Sequence, residues 1–124
     1  MVELNELRYL ALSFAGTSED DHHDRPSFRV SGKTFATLPD DLHVNVMLDA
    51  QLAQHAVALA PGACAQLWSG EHLAGVTVEL AGADLDMLAA LLTSAWLRKA
   101  PAALARELDR LPESAPVRAI RSPA

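Results

Sequence analysis

The chain has 124 residues, of which 50% are hydrophobic and 21% charged, with a formal net charge of −6. That length suits one domain around a single core rather than two. The composition excludes a disordered or fibrous chain, and the lack of any run of about 18 apolar residues excludes an apolar spanning helix.

In chain order, Leu4, Leu7, Ala11 and Phe14 fall at spacings of three and four, which predicts an amphipathic helix over 2–14. The stretch from Gly16 to Pro26 packs charges between a glycine and a proline and reads as an exposed loop. From Ser27 the period changes to two. Phe28 and Val30 alternate with polar neighbours, Ser31-Gly32 offers a two-residue turn, and Lys33 to Leu38 continues as strand, so Phe28 should pair with Phe35. Pro39-Asp40-Asp41 is a turn, and Leu42, Val44, Val46 and Leu48 alternate along a third strand of the meander.

Asp49 is placed to cap a helix with Leu52, Ala56 and Leu59 on its buried side, ended by Pro61-Gly62. Ala63 to Ser69 is ambiguous, with a short fourth strand around Gln66-Leu67-Trp68 as one reading. Val76 to Leu80 alternates cleanly and predicts a strand. Asp84 caps a helix with Leu85, Leu88, Leu92 and Ala95 or Trp96 in register and Arg98-Lys99 in its last turn. Pro101 starts a further helix bearing Leu104, Leu108 and Leu111. The predicted order is α-βββ-α-ββ-α, an α+β domain over 1–111 with an antiparallel sheet of about five strands and helices on one face. Residues 112–124 contain little apolar material and read as a flexible tail.

The one cysteine, Cys64, lacks a disulfide partner, and acidic residues stand where a signal peptide would be basic, so a cytoplasmic protein is expected. The run Glu19-Asp20-Asp21-His22-His23-Asp24 contains metal-ligand chemistry, yet consecutive residues do not converge on one ion, and no metal site is assigned. Ser13, Ser18, Ser69 and Ser94 lack a nucleophile elbow, and His43, His55 and His72 stand apart in sequence. The six glycines form no phosphate-binding motif. These readings leave a non-catalytic chain with no cofactor. Trp96 falls on an apolar stripe, whereas Trp68 remains open to stacking. Charge is uneven: 1–97 hold 4 basic and 13 acidic groups, and 98–124 hold 6 and 3. Near the first hairpin, Arg25, Arg29 and Lys33 are the residues that could contact phosphates, with ion pairing to the adjacent acids as the alternative.

An acid and a His, then Arg25-Pro26-Ser27-Phe28-Arg29-Val30 and Gly32-Lys33-Thr34-Phe35-Ala36-Thr37-Leu38, resemble the MmcQ/YjbR signature. The resemblance runs through Leu48-Asp49, the alanine-rich helix ending at Pro61, the strand Val76 to Leu80 and the helix before Pro101, covering roughly 4–105. It implies a compact α+β fold similar to secretion-chaperone-like domains, no cofactor, and a proposed role in DNA binding through winged hairpins, an inference by analogy. The chain departs from the family pattern in carrying Met47 where Lys is common and Gly75 where Trp is common, which removes a cation and an aromatic ring from that role. The partner expected is therefore DNA, bound weakly, or alternatively a protein or small ligand without nucleic-acid affinity, with no membrane partner.

Overall fold

The computed structural model describes residues 2–22 and 25–110, with only the backbone of His22 and of 107–110; the segment 112–124, expected to be a tail, lies outside them. Six strands form one antiparallel sheet in the order β1-β2-β3-β4-β6-β5. They are β1 (Thr17–His22), β2 (Arg25–Val30), β3 (Lys33–Thr37), β4 (His43–Met47), β5 (Cys64–Ser69) and β6 (His72–Glu79). Around them run α1 (Leu4–Leu12), α2 (Ala50–Leu59), α3 (Leu85–Lys99) and α4 (Ala102–Arg110).

The strand β1 corrects the loop expected between Gly16 and Pro26. It pairs along its length with β2, from Thr17 opposite Val30 to His22 opposite Arg25. Charged side chains are tolerated because β1 is an edge, where one flank of the strand faces solvent. Arg8 of α1 anchors it through Glu19 at 2.8 Å.

Ser31 (φ 52) and Gly32 (φ 78) both take left-handed backbone, the geometry of a type I′ turn, and close β2 onto β3 with Val30 opposite Lys33. Strict pairing would then set Phe28 against Phe35. The register instead slips between Phe28 and Arg29, so Phe28 faces Ala36 and Phe35 is the extra residue of a bulge. The slip buries both Phe35 and Ala36.

From β4 the chain passes through α2 to β5, and β6 returns between them, so β4 and β5 run parallel with β6 antiparallel to both. Asp49 caps α2 by accepting the Leu52 N–H at 2.8 Å, as its position in the sequence implies. The helix buries Ala53 and Ala56, however, so of the expected buried side only Ala56 is inside, and Leu52 and Leu59 are exposed. Gly70 (φ 61) opens the two-residue turn joining β5 to β6. The ambiguous segment is thus an edge strand, and α2 packs over β6 and β5.

Asp84 caps α3 through the Met87 N–H at 2.7 Å, and Leu88, Leu92, Ala95 and Trp96 turn to the core. Trp96 is 1% exposed and donates its indole N–H to the Ala15 carbonyl at 3.0 Å, which satisfies the polar handle of a buried ring. Phe14 bridges Trp96 and Phe35, with ring centroids 6.0 and 6.3 Å away. Leu7 and Ala11 of α1, Ala53 and Ala56 of α2, and Val44, Val46, Val76 and Val78 of the sheet complete one core. The alternate strand positions, including Arg29, Thr37, Asn45, Met47 and Thr77, form the opposite, open face of the sheet, which no buried apolar side chain covers among the described residues.

Candidate functional site

The β2–β3 hairpin, Arg25 to Thr37, carries Arg25, Arg29 and Lys33 and no carboxylate. Register decides where these cations point. Arg25 and Arg29 are four residues apart on one strand and share the open face, since Arg29 stands opposite Thr34. Lys33 faces Val30, whose side chain is buried in the core, so Lys33 belongs to the other side and is exposed at the turn. The structure therefore brings two of the three residues together and sets the third at the tip.

Each arginine is partly engaged. Arg25 donates its Nε–H to the Leu38 carbonyl at 3.0 Å and an Nη2–H to Asp41 at 3.1 Å. Arg29 donates its Nε–H to the Ser27 hydroxyl at 3.3 Å, and that hydroxyl donates to the Asp20 carbonyl at 3.1 Å. Ser27 is wholly buried beneath this arrangement, so Arg29 is held over β2 and has its remaining guanidinium donors free of protein partners among the described residues. Asp20 stands opposite Ser27 on β1 and places a carboxylate on the same face. Arg25 and Asp41 are both solvent-accessible, and a pair of this kind contributes about 0–1 kcal/mol, so a polyanion can displace it.

A second polar patch lies further across the open face. Asp40 accepts from His43 Nδ1–H at 2.9 Å and from the Leu42 N–H at 2.7 Å. These bonds, the one to His43 first and the Leu42 amide next, hold the Asp40 carboxyl below its ordinary 3.8. Thr77 donates to Asn45 at 2.6 Å across β4 and β6. His43, Thr77 and Glu79 border an open groove of about 260 Å³ whose far wall is Pro61 to Ala65. Cys64 in that wall is buried and its thiol is pushed up by desolvation, so it stays protonated and is a poor nucleophile. Strand alternation was the signal that could have grouped His43, Asn45 and Thr77; only the register joins them.

The other candidates stay apart. His72 begins β6 and is exposed, His55 lies on α2, and Trp68 stands on β5, far across the sheet from the hairpin. No three His, Cys, Asp or Glu side chains converge among the described residues, while His23 and Asp24 of the acidic run lie outside them. No helix there is long and apolar enough to cross a membrane.

The YjbR family model matches residues 12–98, most of the chain, including the hairpin, the crossover and α3. The chain belongs to the YjbR family. A crystal structure of the Deinococcus radiodurans protein DR2400, a DUF419 domain, superposes with a TM-score of 0.69 at 22% identity over 94% of each chain, which shows a shared fold. No curated protein matches the sequence. Within this YjbR domain, the two departures noted in the sequence prove to be one feature, because Met47 and Gly75 are direct partners across β4 and β6. A Cβ on Gly75 would run into the Val46 carbonyl and the Leu48 amide, so an aromatic ring at that position needs a differently paired β6.

Proposed function

We propose that this YjbR-family chain is a non-catalytic binding module whose β2–β3 hairpin meets duplex DNA weakly and without sequence specificity. The observation that carries this reading is the hairpin itself: three cations and no carboxylate in a chain of net charge −6, with Arg25 and Arg29 on an open face and Lys33 at the tip. A two-stranded ribbon presenting cations can contact phosphates by charge alone. The number of contacts is small, so the affinity is low and lost quickly with salt: three phosphates give a log-log slope of about −3, against roughly −6 or steeper for proteins making 6 to 10 contacts. Asp20 and Asp41 beside the arginines weaken it further.

Fluorescence anisotropy on a labelled duplex, at about 50 and 200 mM salt, tests the assignment. Binding at the lower salt that disappears at the higher one, and that is abolished by changing Arg25, Arg29 and Lys33 together to Ala, is the expected result. Binding that survives high salt or ignores the triple change would overturn it. No binding even at low salt would favour the second reading, a protein-interaction module, which the acidic net charge and the Arg25–Asp41 pairing support.

A further inference from the structure

Residues 50–70 contain no Lys, Arg, Asp or Glu, in a chain that is 21% charged overall. The fold gathers this stretch at one end of the molecule, where it forms α2, the loop after it and the edge strand β5. Exposed side chains there are apolar or neutral: Leu52 and Leu59, two turns apart on α2, Gln66, and Trp68, which is 53% exposed.

The edge also offers unpaired backbone. Glu79 N–H donates to the Ala63 carbonyl at 2.8 Å, which fixes the alternation of the β5–β6 ladder. Ala65 and Leu67 then point their amides and carbonyls toward β6, and Gln66 directs its own outward. Cys64 also faces outward, but the end of α2 covers it there, where the Ala60 carbonyl accepts its N–H at 2.8 Å. From Gln66 onward the outward donors and acceptors have no charged side chain or covering element beside them among the described residues, which makes this part of the edge a template for one more strand.

We infer that this end is a homodimer interface, in which β5 of one copy pairs antiparallel with β5 of a second and the two α2 helices meet beside it. A second copy is the occupant that the charges favour. Two molecules of net charge −6 repel one another wherever carboxylates face each other. β5 and α2 carry none, and Glu71 in the turn after β5 would fall at opposite ends of an antiparallel β5–β5 pair, away from its twin. The opposite edge, β1, would set Glu19, Asp20 and Asp21 against themselves. An antiparallel strand pair is also self-complementary about a two-fold axis, as an isologous contact requires. The face is one six-residue strand, about 20 Å long, with a single helix behind it. It therefore falls at the small end of stable interfaces, and a micromolar rather than nanomolar dimer is expected.

Sedimentation of the full chain from about 1 to 300 μM measures the association. The parent should pass from monomer to dimer in that range, and the Leu59→Glu/Trp68→Glu double variant should weaken dimerisation roughly tenfold or more. Both positions are largely exposed, so the variant's circular dichroism and melting temperature under dilute, monomeric conditions should match the parent's. Tyr9→Glu and Leu42→Glu, exposed apolar positions elsewhere, should leave the dimer intact. In the dimer, the Gln66 amide should exchange with deuterium more slowly as concentration rises. A parent that stays monomeric throughout, a dimer indifferent to the edge charges, one broken by the Tyr9 or Leu42 changes, or a Gln66 amide whose exchange does not respond to concentration would each overturn the assignment. None of these readings depends on DNA, so the two proposals fail independently.

Discussion

β1 and β5 are six-residue edge strands of the same sheet, yet β1 holds Glu19, Asp20 and Asp21 while β5 holds no charge at all. The neighbours follow suit. Beside β1 lies the hairpin with its three cations, and beside β5 lies α2 without a charged residue. Both ends keep their backbone geometry with a bulge, one that doubles the buried residues of β3 and one in β6 next to Gly75. Edge chemistry thus separates two tasks on one scaffold: charge makes β1 repel a second strand, and neutrality leaves β5 able to accept one.

The two halves depend on opposite things, a large ring at the β3 bulge and, beside the β6 bulge, the lack of a side chain where Gly75 lies against the β4 backbone. Phe35→Ala removes a wholly buried ring that touches Phe14, and should cost about 3–5 kcal/mol of unfolding free energy by chemical denaturation. A loss under about 1 kcal/mol would mean that the β3 bulge can relax to the strict pairing of Phe28 with residue 35.

Gly75→Ala should cost somewhat less, on the order of 3 kcal/mol, seen as a fall of roughly 10 °C in melting temperature. The added methyl meets the Val46 and Leu48 backbone, which cannot swing aside as a side-chain tip can. Recovery of stability in a Gly75→Trp/Met47→Lys double variant would show instead that the pair can adopt the family's commoner residues by re-pairing β6, and would break the contrast between the two halves.

Much of the architecture was legible because it rests on local signals. Period-two alternation from Ser27, the Ser31-Gly32 turn, and Asp49 and Asp84 as caps all act within a few residues. β1 was hidden because nothing in Thr17–His22 alternates in hydrophobicity; its strand form comes from pairing with β2 and from Arg8, a contact eleven residues away. The Phe28–Phe35 pairing failed for a related reason, since a bulge is settled by how the core fills rather than by the turn. At the candidate interface, residue types gave Arg25, Arg29 and Lys33, but only parity along the strands shows that Lys33 stands on the other side. The neutral run 50–70 was present in the sequence, and its meaning needed the sheet order, which makes β5 an edge.

The smallest effect expected is electrostatic and lies at the start of β4, where the charged half of the sheet gives way to the neutral one. Asp40 is held below its ordinary 3.8 by the His43 hydrogen bond and then by the Leu42 amide. A carboxyl whose folded-state pKa is depressed releases its proton more readily in the folded chain, so ionisation favours the folded state above the unfolded value. That contribution is complete above about pH 5 and is lost as pH falls through the depressed folded value. Asp40→Asn keeps an oxygen for the Leu42 N–H and removes the charge, so subtracting the two proteins isolates the ionised form. The parent should therefore melt slightly higher than the variant at neutral pH, and the two curves should converge below about pH 4. Because the group is open to solvent, salt should shrink the gap as well. A difference that stays constant from pH 7 to pH 2 would assign the effect to turn geometry and leave the Asp40–His43 contact without an electrostatic share in stability.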